Sequence, residues 1–161
     1  GHYPWGEFMS VAVGQQVPPF TVASTAGELS LAQFHGKKLV IYFYPKDSTP
    51  GCTTEGQNFR DRYELLRAAG TELIGVSRDT LASHNRFRDK MGFQFPLVSD
   101  TDETLCKLFD VIKPKKLYGK VHIGVERSTF VLSGSAILLR EWRGLKVPGH
   151  AQEVLEFVQG L

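Results

Sequence analysis

Cys52 closes the run Pro45-Lys46-Asp47-Ser48-Thr49-Pro50-Gly51-Cys52, between a strand-like apolar stretch, Lys38 to Tyr44, and a helix-like stretch reaching about Ala69. At a strand-to-helix junction the first N–H groups of the helix lack intrahelical partners, and that positive end favours a thiolate over a thiol. The thiolate is the nucleophile, so residue type and placement together point to chemistry at sulfur. A thiol of ordinary acidity, with a pKa of about 8.5, is only about 3% ionised at neutral pH. Lowering such a pKa by about 2 units takes about 2.7 kcal/mol of preferential anion stabilisation. A helix N-terminus gives about 1–2 kcal/mol of that, and a nearby arginine could supply the rest.

Spacing separates the reactions that use such a cysteine. A dithiol oxidoreductase needs Cys-x-x-Cys, but Glu55 holds the second place. A cysteine phosphatase needs an arginine six residues on, where this chain has Asn58. A cysteine protease needs a histidine base gathered in space, and no local signature supports His35, His84, His122 or His150. No His/Cys pair has metal-ligand spacing, so no metal or other cofactor is expected, and each isolated histidine reads as a surface or capping residue. A lone nucleophilic thiolate remains, with the Thr49 hydroxyl three residues before it.

The elements that must position this sulfur follow from periodicity. Phe20 to Ala23 and Leu29 to Leu31 read as short extended segments, and Lys38 to Tyr44 as a strand buried on both faces. Thr49 suits an N-cap, Pro50 the first helical position and Gly70 the stop, while Cys52, Phe59, Tyr63 and Leu66 fall on one helical face. Thr71 to Ser77 is a second buried strand, Leu81 to Met91 a polar helix, Phe95 to Val98 a short strand and Asp102 to Asp110 a short helix. Ser128 to Leu132 and Ala136 to Trp142 read as a hairpin, and Pro148 to Val158 as an amphipathic closing helix. This order predicts an α/β fold with a central mixed β-sheet flanked by helices and preceded by N-terminal extended segments, compatible with a thioredoxin-like layout.

Bulk properties fit one domain. The chain has 161 residues, 42% hydrophobic and 22% charged, and a net charge of +2 that is too small to suggest nucleic-acid or membrane binding. The basic run Lys113-Pro114-Lys115-Lys116 reads as a solvated loop. Two cysteines make no disulfide framework and suit a reducing compartment, with the cytoplasm as the expected location. No apolar stretch is long enough to span a bilayer. Residues 1–8 lack periodicity and read as a non-native extension before Met9, leaving 9–161 as the domain.

The motif Pro45-Lys46-Asp47-Ser48-Thr49-Pro50-Gly51-Cys52 resembles the Pro-x-x-x-Thr-x-x-Cys signature of peroxiredoxins. The longer run Phe43 to Thr53 is similar to the bacterioferritin comigratory protein, or peroxiredoxin Q, subfamily. Gly75-Val76-Ser77-Arg78-Asp79 with Ser83-His84, Phe95 to Asp100, Arg127 to Val131 and Lys146 to His150 extend the likeness to nearly the whole domain. The resemblance implies a thiol peroxidase of hydrogen peroxide and organic hydroperoxides, acting as a monomer, with Cys52 passing through a sulfenic acid. It assigns donors to the leaving oxygen: the Thr49 hydroxyl, the Cys52 N–H and the Arg127 guanidinium. It also implies that Pro45 shields the sulfur and that Glu55 orients Arg127 as an ion pair.

The chain departs from the subfamily in its second thiol. Many relatives carry a resolving cysteine five residues after the first, where this chain has Gln57, and others place it on the next helix, yet none occurs from Gly75 to Gln94. Cys106 is the only other cysteine and reads as a structural thiol near the apolar face of its short helix. The expectation is a one-cysteine cycle completed by thioredoxin, glutaredoxin or glutathione. The alternatives are a two-cysteine cycle through Cys106 and a non-catalytic thioredoxin-like binding or chaperone module.

Overall fold

Residues 10–161 are described by a computed structural model, so the extension expected over 1–8 lies outside the described residues. The apolar run yields β3 (Lys38–Phe43), flanked by β4 (Thr71–Ser77) in parallel and β8 (Ser128–Leu132) in antiparallel register. Beyond β4 lie β5 (Leu97–Ser99), β1 (Thr21–Ser24) and β2 (Gly27–Ser30); beyond β8 lies β9 (Leu138–Arg143). The seven strands form one mixed sheet in the order β2-β1-β5-β4-β3-β8-β9.

Alternation along β3 builds two cores, as the two-residue period of a strand requires. Val40, Tyr42 and Tyr44 pack against α1 (Pro50–Ala68), α2 (Leu81–Met91) and α4 (His150–Gln159) through Phe59, Phe87 and Val154. Leu39, Ile41 and Phe43 face the other way, onto Phe109, Phe130 and the short α3 (Thr104–Leu108). The apolar face expected of α1 is observed: Cys52, Phe59, Tyr63 and Leu66 are all buried.

The reading of 113–116 as a loop is corrected. β6 (Ile112–Leu117) and β7 (Lys120–Val125) form a separate antiparallel hairpin. Its turn is Tyr118-Gly119, both with positive φ, the geometry that matches the twist of a two-residue hairpin. Lysines at four of its positions hid the alternation, and Tyr-Gly is a weaker turn signal than Asn-Gly. A 3-10 helix at Leu31–Phe34 also replaces the end of the second extended segment.

Candidate active site

The loop between β3 and α1 delivers the sulfur. β3 ends beside β4, Tyr44 N–H still donates to Val76 O, and the chain reverses through Ser48, which holds a positive φ of 63°. Thr49 takes the N-cap position and Pro50 opens α1, as expected, but the Thr49 hydroxyl makes no cap bond. It donates instead to Lys46 O at 2.8 Å. Cys52 thus lies in the first turn of α1, 2% exposed.

Arg127, expected near Cys52 only from family likeness, is brought there by β8, because it immediately precedes Ser128, which pairs with Phe43. Its Nη2 donates to Cys52 Sγ at 3.4 Å and its Nη1 to Glu55 Oε1 at 2.6 Å. Burial works against the Arg127 charge, but Glu55 and the Cys52 sulfur outweigh it and raise the guanidinium further. Glu55 is one turn beyond Cys52 on the same face of α1 and is itself 1% exposed. Burial pushes its carboxyl up to about 7, although the Arg127 guanidinium pulls it down. Its second oxygen has no partner, and neither has the buried Tyr42 hydroxyl. Pro45 is half-buried at the start of the loop.

The sequence reading missed what pins this loop. Asp47 is buried beneath it and accepts from Tyr44 Oη at 2.6 Å and Ser83 Oγ at 2.8 Å. His84 is fully buried, with Nδ1 2.7 Å from Asp47 Oδ2 and Nε2 2.8 Å from Val98 O, so both ring nitrogens face acceptors. Burial opposes the Asp47 charge, yet the bonds from His84 and Tyr44 prevail and hold the carboxyl below the usual range. Asp79 accepts from the Asp47 N–H at 2.9 Å and from the Ser77 hydroxyl.

The expectation that each isolated histidine is a surface or capping residue is therefore corrected for His84 and for His150, whose rings are buried. His150 is buried 2.8 Å from Thr129 Oγ1, and burial lowers it to about 4. Asp47, Asp79 and His84 lie close enough to ligate a cation. Protein donors already occupy both Asp47 oxygens, so the cluster reads as a hydrogen-bonded brace. The available signal was the short spacing Ser83-His84 after Asp79, within a stretch matched only by resemblance.

Cys106 sits elsewhere, in α3 on the opposite face of the sheet from the Cys52 core, and is fully buried. Its N–H and that of Leu105 donate to the Asp100 carboxylate at 2.8 and 2.9 Å. Burial, followed by the hydrogen bond and charge of Asp100, pushes the Cys106 thiol far up. Both cysteines are free.

A thiol at a helix start, touched by a guanidinium that is braced by a carboxylate, defines a site built for nucleophilic sulfur on a thioredoxin-type sheet. Comparisons with known proteins agree with that class. Residues 13–139 match the model of the AhpC/TSA family. The chain is 55% identical over 128 residues to peroxiredoxin Bcp of Xanthomonas campestris pv. campestris, covering 80% of each chain. It is 40% identical to peroxiredoxin Bcp of Bacillus subtilis, over 95% of this chain and 98% of that one. A solved structure of Xylella fastidiosa PrxQ superposes with a TM-score of 0.88 at 41% identity, covering 93% and 96% of the two chains. The chain belongs to the AhpC/TSA family, as a peroxiredoxin of the Bcp/peroxiredoxin Q type, and is a thiol-dependent peroxidase.

Proposed function

We propose that Cys52 is the peroxidatic nucleophile of a one-cysteine cycle acting on hydrogen peroxide and organic hydroperoxides in the cytoplasm. The Cys52 thiolate attacks the distal oxygen of the hydroperoxide; an S–O bond forms as the O–O bond breaks, and water or an alcohol leaves once protonated. Arg127 carries this reading, because its guanidinium reaches the sulfur, where the displaced oxygen would develop its charge, while Glu55 holds it from behind. Such donors act where charge develops, in a site that excludes water. The Thr49 hydroxyl, expected as a donor to the leaving oxygen, has its proton engaged by Lys46 O, so its oxygen instead offers the hydroperoxide proton an acceptor. Pro45 walls the sulfur from solvent. A structure of the Xanthomonas bacterioferritin comigratory protein carries alkyl peroxide reduction in its name, which supports organic hydroperoxides as substrates here.

The cycle closes with an external thiol: its sulfur displaces water from the sulfenic acid, and a second thiol then releases Cys52 as the new disulfide leaves. Xanthomonas peroxiredoxin Q has been solved with either of two cysteines changed to serine, and at the same spacing beyond Cys52 this chain carries Arg88. Burial of Cys106, with its amide held by Asp100, weighs against that thiol as a substitute. The test pairs two variants. Cys52→Ser should abolish peroxide reduction, while Cys106→Ser keeps most of it. Mass spectrometry after one equivalent of peroxide should find about 16 mass units added at Cys52 alone. Equal damage from both substitutions would refute the one-cysteine cycle.

A further inference from the structure

The β6–β7 hairpin is the part of the fold that peroxide chemistry leaves unused. Directly paired residues of an antiparallel ladder share a face, so its register sorts the side chains. Pro114, Lys116, Val121 and Ile123 lie on one face. Lys113, Lys115, Lys120 and His122 lie on the other, with Leu117. No carboxylate occurs between Asp110 and Glu126.

Leu117, Tyr118, Val121 and Ile123 are 55%, 96%, 66% and 63% exposed, half of the eight exposed large hydrophobics among the described residues. Single exposed apolar residues are ordinary, but Val121 and Ile123 side by side on one face, with Tyr118 at the turn and Leu117 behind it, make the end of the hairpin an apolar projection fit for contact. That surface is joined to the active site. β7 ends at Val125, and the chain reaches Arg127 two residues later. Burial pulls the Lys115 ammonium below the ordinary lysine value, Arg127 adds to that shift and Cys52 opposes it.

We propose that this hairpin is the docking surface for a protein dithiol reductant whose contact patch is apolar and ringed by carboxylates; the proposal rests on the one-cysteine reading above. One partner thiol forms an S–S bond with oxidised Cys52 as water leaves. Its second thiol attacks the partner's own sulfur of that bond, freeing Cys52 and carrying away the disulfide. Glutathione matches the charge but is too small to cover Val121, Ile123 and the Tyr118 turn together. A second copy of this chain would bring a hairpin with four lysines and no carboxylate against another of the same charge, which discourages self-pairing. A bilayer would cover the Leu117–Tyr118 tip and leave the cationic face behind it unmatched.

The test uses full-length protein, thioredoxin with its reductase and NADPH as the dithiol source, and dithiothreitol and glutathione as small-thiol controls. Lys116→Glu/Lys120→Glu should raise KM for thioredoxin by 10-fold or more, and added salt should weaken wild-type turnover with thioredoxin but not with dithiothreitol. Tyr118→Ser/Ile123→Ser should raise the same KM without the change in salt dependence. Both variants should keep the wild-type rate of peroxide consumption with dithiothreitol. The docking proposal is overturned if KM for thioredoxin is unchanged, if glutathione alone sustains wild-type turnover, or if the variants lose as much with dithiothreitol. It is equally overturned if they lose only binding to vesicles of phosphatidylcholine and phosphatidylserine. A wild-type protein that consumes no peroxide with dithiothreitol would overturn the catalytic reading itself, and the docking surface with it.

Discussion

Changing Glu55 to glutamine should alter the pH dependence of stability in a way that only a buried, partly compensated carboxyl produces. Burial lifts Glu55 from 4.5 to about 7 in spite of Arg127. In the unfolded chain it ionises near its ordinary value, so between those two pH values the folded protein holds a proton that the unfolded chain has released. Its contribution to stability is therefore complete below about pH 4.5 and is lost as pH rises through 7. A gap of roughly 2.5 pH units corresponds to about 3 kcal/mol. His150 runs the opposite way: burial lowers it from 6.5 to about 4, so its contribution is complete above 6.5 and is lost as pH falls to 4. The two slopes oppose each other, leaving the native protein with a shallow profile between about pH 4.5 and 6.5. Glu55→Gln removes one slope and retains a carbonyl for Arg127. Urea titrations from about pH 4.5 to about pH 8 should show the variant gaining about 3 kcal/mol relative to the native protein as pH rises. A difference that stays constant with pH, or a variant that loses ground, would refute this account of Glu55.

Arg127→Ala should slow the peroxide step by roughly 10²–10³, the usual cost of an oxyanion-type donor, as measured by stopped-flow loss of the Cys52 thiol. Retained speed would mean that the guanidinium does not act on the leaving oxygen. Asp47→Ala strips the buried His84 ring, the Tyr44 hydroxyl and the Ser83 hydroxyl of their shared acceptor. It should destabilise the fold by about 3–5 kcal/mol in urea titration, the cost of breaking a buried pair. A loss below about 1 kcal/mol would show that the brace is dispensable.

Much of this fold was legible because its signals are local. Thr71–Ser77, Leu81–Met91 and Ser128–Leu132 have the bounds that alternation, periodicity and turn residues indicate. Cys52 was legible because Pro50 and the preceding strand fix a helix start in sequence. Arg127 was not, since 75 residues separate it from Cys52 and only the β3–β8 pairing closes that distance. Asp47 and His84 were hidden for the same reason, compounded by type: an aspartate in a turn and a histidine on a polar helix read as solvated. The β6–β7 hairpin was missed because lysines on both faces blurred the two-residue period.

The arrangement holds a tension that the fold resolves locally. Cys52 is 2% exposed beneath Arg127, yet a thiol reductant must reach it after oxidation. The loop before it is pinned by Asp47, so the freedom has to lie in the first turn of α1. That turn lacks the side-chain cap Thr49 could have given, a difference of about 1 kcal/mol, because the hydroxyl is turned to Lys46. Gly51, in that same turn, weakens it by about 1 kcal/mol relative to alanine. Together these make opening of the first turn cheaper by about 2 kcal/mol than in a capped turn with alanine at position 51, or roughly 30-fold in local opening. Hydrogen exchange should therefore find the amides of Thr53 to Glu55 exchanging roughly 30-fold faster than those of Phe59 to Leu66, whose side chains anchor the helix in the core. Uniform protection along α1 would mean that the whole helix, and with it the sheet beneath, must open before oxidised sulfur can be reduced.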